Sequence, residues 1–64
     1  MMRIMSNDVV RLAGDLPEVE LSAGERGIVR SAWYYPNVAF EVEFGRNEGM
    51  KFLLSPDQLL PEQS

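Results

Sequence analysis

The chain has 64 residues and a formal charge of -4, from six basic and ten acidic side chains. It contains no cysteine and no histidine. These absences exclude disulfides, thiolate catalysis and cysteine-ligated zinc, and they remove the usual general base and the commonest metal ligand. A chain this short forms a single domain and buries only about 60% of the surface that its unfolded form exposes. We therefore expect a small core, no catalysis, no cofactor and no metal.

Composition also restricts location and partners. The chain is 45% hydrophobic and 25% charged, as globular proteins are. No apolar run approaches the roughly 20 residues of a membrane span, and residues 1–5 lack the apolar core of a secretory signal. We expect a cytoplasmic protein with no membrane contact. Its negative charge disfavours non-specific attraction to nucleic acid and favours basic or neutral protein surfaces as partners.

The first predicted strand covers residues 8–12, where Val10 and Leu12 point inward from a short β-rich run. Residues 1–6 have no usable periodicity and are predicted to be flexible, so that order begins near Asn7.

A long loop is predicted over residues 13–25, which contain two glycines, a proline and four acidic side chains. Loops of this length persist when their own side chains pack on the core, and Leu16 and Leu21 are the expected anchors. A helix is the alternative, but Gly14, Pro17 and Gly24 leave too few residues between them for one.

The second and third strands flank an aromatic connection. Strand two covers residues 26–33, carries Ile28 and Val29, and begins at a pair of glycines that permits a sharp turn. Residues 34–37 connect it to strand three, which begins at Val38 or Ala39 and ends at Phe44. Over residues 39–44 this strand alternates apolar and acidic side chains with the period of two expected of a half-buried strand. We predict that this third strand is the central strand of an antiparallel sheet.

The remaining chain predicts a hairpin, a 3₁₀ turn and a last strand. Residues 45–49 form a glycine-bounded turn into strand four, where Met50, Phe52 and Leu54 alternate inward. Residues 55–58 match a capping box with proline at the first helical position. Leu59 and Leu60 then form a short strand beside the first.

This order of elements predicts an all-β, SH3-like small barrel of five strands, with a long loop after strand one and a 3₁₀ turn before the last strand. Closing the sheet on itself would protect its edges.

Five segments of the chain carry a resemblance: residues 7–12, 15–18, 21–29, 40–44 and 55–59. In these segments the sequence resembles a family of small uncharacterised bacterial proteins, a domain of unknown function with an SH3-like barrel. More distant similarity extends to SH3-like accessory subunits of photosynthetic and redox complexes. The resemblance implies a fold and a class but brings no known active site.

The most conspicuous candidate site is the aromatic connection, for which a protein-binding role is predicted. Consecutive residues cannot all face one small core, so at least one ring should be exposed, where it can anchor an interface or hold a proline-rich segment. The alternative is that Trp33 or Tyr34 closes one end of the core. The predicted binding residues are Trp33, Tyr34, Tyr35, Pro36 and Asn37.

The long loop could steer a basic partner through its acidic side chains, although an ordinary solvated loop is the favoured interpretation. These side chains belong to Asp15, Glu18, Glu20 and Glu25.

Glu41 and Glu43 share one strand face, a spacing that can bring two carboxylates together for metal binding or acid-base chemistry. Pairing across strands with Arg30 or Lys51 is the plainer expectation.

The leading hypothesis is a non-enzymatic protein-protein interaction module, such as an adaptor or an accessory or regulatory subunit, whose partner is unknown. One alternative is a nucleic-acid-binding barrel that gathers basic residues on one face. Another is a self-associating structural protein, because a small core gains from a homo-oligomeric interface. The basic residues of the nucleic-acid alternative are Arg26, Arg30, Arg46 and Lys51.

Overall fold

The computed structural model describes residues 4–62, which form one antiparallel five-stranded sheet with strand order β4-β3-β2-β1-β5. The all-β prediction, the number of strands and the pairing of the last strand with the first are confirmed. Within residues 4–62 no helix is long and apolar enough to cross a membrane. The strands are β1 (Val9–Leu12), β2 (Arg26–Trp33), β3 (Ala39–Phe44), β4 (Phe52–Leu54) and β5 (Leu59–Pro61).

The sheet is open, and the predicted barrel is not confirmed. β4 and β5 form its two edges, and no strand pairing joins them within residues 4–62. The middle strand is β2, whereas β3 was predicted to be central; β3 is an inner strand that pairs with β2 and β4. Strands β1 to β4 pair in sequence order, and β5 adds to the free side of β1, which makes β2 the third of the five strands.

The core lies on one face of this sheet and follows the predicted alternation. In β3 the side chains of Phe40, Val42 and Phe44 are fully buried, while Glu41 and Glu43 lie on the opposite face and are half-buried. The same alternation holds in β1. The buried apolar side chains are Ile4, Val10, Leu12, Leu21, Val29, Phe40, Val42, Phe44, Leu54 and Leu59.

A β-bulge interrupts the alternation of β2. Val29 pairs with Val42, but the next residue pair is Ser31 with Glu41, so Arg30 is the extra residue. A bulge shifts every later side chain of its strand to the other face. Trp33, which an unbroken alternation would place on the core face with Val29, consequently lies on the outer face.

Gly27 is buried at the start of β2, and its role differs from the predicted one. A Cβ at this position would lie 2.7 Å from Val42 Cγ1 and 2.9 Å from Phe44 Cδ1. Gly27 is therefore required by close packing against β3, whereas Gly24 has the positive φ of +88° that makes the turn.

Two other predictions are corrected. Order was expected from Asn7, but Ile4 is already part of the core; residues 1–3 lie outside the described residues. Met50 was expected to point inward from strand four, but β4 begins at Phe52 and Met50 is exposed. The turn before β4 takes up the extra residues, with a 3₁₀ turn at Gly45–Asn47 and a positive φ at Gly49.

The long loop and the last 3₁₀ turn form as predicted. Leu16 and Leu21 form an antiparallel bridge around a 3₁₀ turn at Pro17–Val19, and Leu21 is buried. In the turn at Pro56–Gln58 the backbone N–H of Ser55 donates to Oε1 of Gln58 at 2.9 Å, the return bond of a capping box.

Candidate functional site

An open groove of about 350 Å³ lies on the outer face of the sheet, at the end where β2 turns into β3. Its walls are mainly apolar. We call it the aromatic groove, and it is lined by Trp33, Tyr35, Pro36, Asn37, Ala39, Glu41 and Leu53.

The β2 bulge and the strand register build this groove. Trp33 pairs with Ala39, and Glu41 pairs with Leu53 on the other side of β3, so these side chains share the outer face. Tyr35 lies beyond the strand end, before a cis peptide bond to Pro36. Tyr35 is 88% exposed, Leu53 67% and Trp33 45%, which leaves large apolar surfaces next to each other in water.

Tyr34 belongs to the fold and not to the groove. Its ring packs edge-on against Phe40 with ring centroids 6.2 Å apart, and its hydroxyl donates a hydrogen bond to the backbone oxygen of Ile4. Of the two sequence interpretations of the aromatic connection, Tyr34 matches closure of the core end, while Trp33, Tyr35, Pro36 and Asn37 lie in one exposed groove.

The acidic loop does not present four free carboxylates. Asp15 Oδ1 accepts a hydrogen bond from the Ala23 backbone N–H at 2.8 Å. Glu25 Oε2 accepts from the Ser22 backbone N–H at 2.8 Å. Glu18 and Glu20 are exposed, so only half of the predicted steering set projects freely into solvent.

The basic residues of the nucleic-acid alternative do not form an unpaired strip. Three of the four are paired with a glutamate, and the fourth, Lys51, is exposed near Glu43. The ion pairs are Arg26 Nε–Glu62 Oε1 at 3.3 Å, Arg30 Nε–Glu43 Oε1 at 3.0 Å and Arg46 Nη2–Glu25 Oε2 at 2.6 Å.

Glu62 has a structural role that the sequence analysis did not foresee. Arg11 and Arg26 face each other across β1 and β2, a like-charge pair that destabilises a sheet when it is left alone. Glu62 Oε1 lies 3.2 Å from Arg11 Nε and 3.3 Å from Arg26 Nε, so one carboxylate serves both guanidinium groups. Only the register of β1 against β2 and β5 reveals this contact.

Two carboxylates accept hydrogen bonds that lower their pKa values, and the same bonds hold two connections in place. The Gly49 backbone N–H donates to Glu43 Oε2 at 2.8 Å, and this bond, followed by the one from Arg30, lowers the pKa of Glu43. The bond from the Ser22 backbone, followed by the Arg46 pair, lowers the pKa of Glu25.

Glu41 and Glu43 thus have different surroundings although they share a strand face. Glu43 pairs with Arg30, as predicted, whereas Glu41 makes no ion pair among residues 4–62 and lines the aromatic groove. No group of three or more acidic side chains in the described part of the chain is placed to hold a metal ion.

Leu53 and Ala39 line the groove, although neither was predicted to be a binding residue. Leu53 carries a usable signal: it is apolar at a position where the alternation of its strand calls for a polar side chain, and such a residue indicates an outer face that is not purely solvated. No comparable signal marks Ala39, which enters the groove only through its pairing with Trp33.

The fold and the groove define a small all-β protein built on one open antiparallel sheet. The chain belongs to the family described as a domain of unknown function (DUF4926), whose model matches residues 6–61. This match confirms the expected membership of an uncharacterised domain family. No curated protein and no solved structure matches the chain.

Proposed function

We propose that this protein is a non-enzymatic protein-interaction module, an adaptor or an accessory or regulatory subunit, that holds its partner in the aromatic groove. The observation that carries the proposal is the exposure of Trp33, Tyr35 and Leu53 side by side along one groove. Contiguous exposed apolar surface has a free-energy cost in water and marks interaction sites on soluble proteins, and aromatic side chains supply most anchors at such interfaces.

The chemistry of the groove favours a partner that is apolar and basic. Its walls accept apolar side chains, and the Glu41 carboxylate at its edge has no cation of its own among the described residues. The overall charge of -4 attracts a basic partner at long range. Such a partner would cover the rings and place a Lys or Arg against Glu41.

The proposal includes an SH3-like architecture and a bacterial, cytoplasmic setting. The strand order, the long loop after β1 and the 3₁₀ turn before β5 support the SH3-like assignment. Nucleic-acid binding is not favoured as a second function, because three of the four cations proposed for it are already paired with glutamates.

The test is an affinity purification from a lysate of the source organism with three forms of the chain: wild type, Tyr35→Ala and Leu60→Ala. Tyr35 is the better choice for substitution because Tyr34 holds the fold. Leu60 is 56% exposed on β5, outside the groove, and serves as the matched control. Bound protein and nucleic acid are both quantified, and thermal unfolding checks that all three forms fold.

We expect a protein partner recovered with wild type and Leu60→Ala and reduced about tenfold or more with Tyr35→Ala, the loss typical of an interface anchor. Recovery of the same protein by all three forms would refute the groove as the binding site. Nucleic acid that all three forms retain equally and that is lost with added salt would refute the proposal and indicate nucleic-acid binding by the basic residues.

A further inference from the structure

We propose that the partner binds as an extended strand added to the free edge of β4, with its side chains entering the aromatic groove. This inference rests on the proposed function and specifies how that site recognises its partner. The juxtaposition that carries it is a sheet edge with no partner strand in the described part of the chain, directly beside an exposed apolar groove, with Leu53 belonging to both.

The outer side of β4 offers main-chain hydrogen-bonding groups. Among the described residues, β4 pairs with β3 alone. The residue pairs are Phe52 with Val42, Leu53 with Glu41 and Leu54 with Phe40. In an antiparallel strand, the N–H and C=O groups of alternate residues point away from the neighbouring strand. Within residues 4–62 no other backbone group bonds to those of β4. The edge is therefore free to pair with an incoming strand.

The opposite edge of the sheet is protected. β5 contains Pro61, which has no N–H to donate, and Glu62 follows it with its carboxylate on Arg11 and Arg26. Proline and charge at an edge strand are the devices by which proteins discourage strand addition. β4 (Phe52–Leu54) contains no proline and no charged residue, although the exposed Lys51 directly precedes it. The proline within β5 is therefore the main difference between the two edges. An incoming strand can therefore pair with β4 more readily than with β5.

Strand addition would also fill the groove. A residue placed opposite Leu53 lies on the outer face, in the row that runs through Leu53, Glu41 and Ser31. Strands lie about 4.8 Å apart, so the added strand would be about 10 Å from β3. A Lys or Arg side chain and the Glu41 side chain can span this distance together. The expected occupant is an extended segment with an apolar residue and a basic residue on the same face.

Charge favours a different protein over a second copy of this chain. Pairing β4 with β4 of a second copy would join two molecules that each carry a charge of -4. An extended basic segment avoids this repulsion and supplies a cation for Glu41.

The experiment uses the full chain and a phage-displayed library of random twelve-residue peptides as the probe. Peptides retained by the wild type are synthesised, and their affinities are measured for Leu53→Lys, its matched control Leu60→Lys and the groove variant Tyr35→Ala. Both leucines are the exposed central residues of three-residue edge strands. Each peptide is then N-methylated one amide at a time, and amide hydrogen exchange of the bound protein is followed by NMR.

We expect selected peptides to combine apolar and basic residues, and Leu53→Lys to weaken them about tenfold or more while Leu60→Lys changes affinity less than about twofold. N-methylation should weaken binding at every second amide, because only alternate amides face β4. Alternate amides within Phe52–Leu54 should gain protection from exchange.

Other outcomes separate this inference from the proposed function. Peptides that need Tyr35 but tolerate N-methylation and leave β4 amides unprotected would overturn strand addition while the interaction function stands. If the protein retained no peptide, the result would count against both strand addition and the proposed interaction function. Protection of β5 amides, or a wild-type dimer that Leu53→Lys dissociates, would overturn the proposed edge or the proposed occupant.

Discussion

Gly27 shows how a single residue can determine the contact between two strands. It sits where β2 approaches β3 so closely that Val42 and Phe44 occupy the space a side chain would need. The sequence shows a glycine pair, Gly24 and Gly27, and suggests one shared role in a turn. The structure separates them, with conformational freedom required at the first and absence of a Cβ at the second.

Gly27→Ala should therefore destabilise the protein by about 1–3 kcal/mol, the usual cost of overpacking a core, measured by urea denaturation. Gly14→Ala is the matched control, because a Cβ at Gly14 meets no atom within 4 Å and its φ is not in the left-handed region. Equal stability of the two variants would show that β2 and β3 can move apart at this position without a loss of stability.

At the scale of elements, two connections are each held by one carboxylate. Glu25 binds the end of the long loop through the Ser22 backbone and Arg46, and Glu43 binds the β3–β4 connection through the Gly49 backbone. Both bonds favour the ionised carboxylate, which is why the pKa values of both groups are lowered.

The sign of the resulting pH dependence follows from these lowered pKa values. A carboxylate with a folded-state pKa below its unfolded value contributes stability that is fully present above the unfolded pKa and is lost as pH falls through the folded one. The free energy of unfolding should therefore fall as pH drops below about 4.5, the usual pKa of glutamate.

Glu43→Gln should reduce this loss on acidification, since the substituted side chain does not titrate. Urea denaturation at several pH values between 3 and 7 measures the effect, with Glu18→Gln as the control because Glu18 is exposed and makes no ion pair among residues 4–62. If the free energy of unfolding of Glu43→Gln changed with pH as steeply as that of the wild type, the role assigned to Glu43 would be contradicted.

At the scale of the whole molecule, one face of one sheet supplies nearly the entire core, so stability depends on very few side chains. Val42 lies at the centre of that face and is fully buried. Leu53 lies on the opposite face, beside Glu41, and is exposed. The same substitution at these two positions should have opposite outcomes.

Val42→Asp should unfold the protein, because burying an unpaired charge costs several kcal/mol, close to the total stability of about 5 kcal/mol expected for so small a domain. Leu53→Asp should remain folded. Circular dichroism and thermal unfolding of both variants provide the measurement. A folded Val42→Asp would mean that the core can admit water at its centre, and an unfolded Leu53→Asp would mean that the outer face is packed.

The sequence by itself determined the elements. The period of two in β3, the capping box at Ser55 and the apolar anchors Leu16 and Leu21 are local patterns, and each predicted its structure because side-chain alternation and capping depend on neighbours in sequence. Membership of an uncharacterised domain family was also evident from the sequence.

Only the tertiary structure decided what the outer face of the sheet presents. The bulge at Arg30 moves Trp33 off the core face, and the strand register places Leu53 and Glu41 on the same outer face. Tyr34 does not join them, because its hydroxyl donates a hydrogen bond to the backbone oxygen of Ile4. Each of these outcomes depends on pairing between residues distant in sequence, which no local pattern encodes. For the same reason, the sequence alone does not show which two strands form the edges of the sheet in residues 4–62.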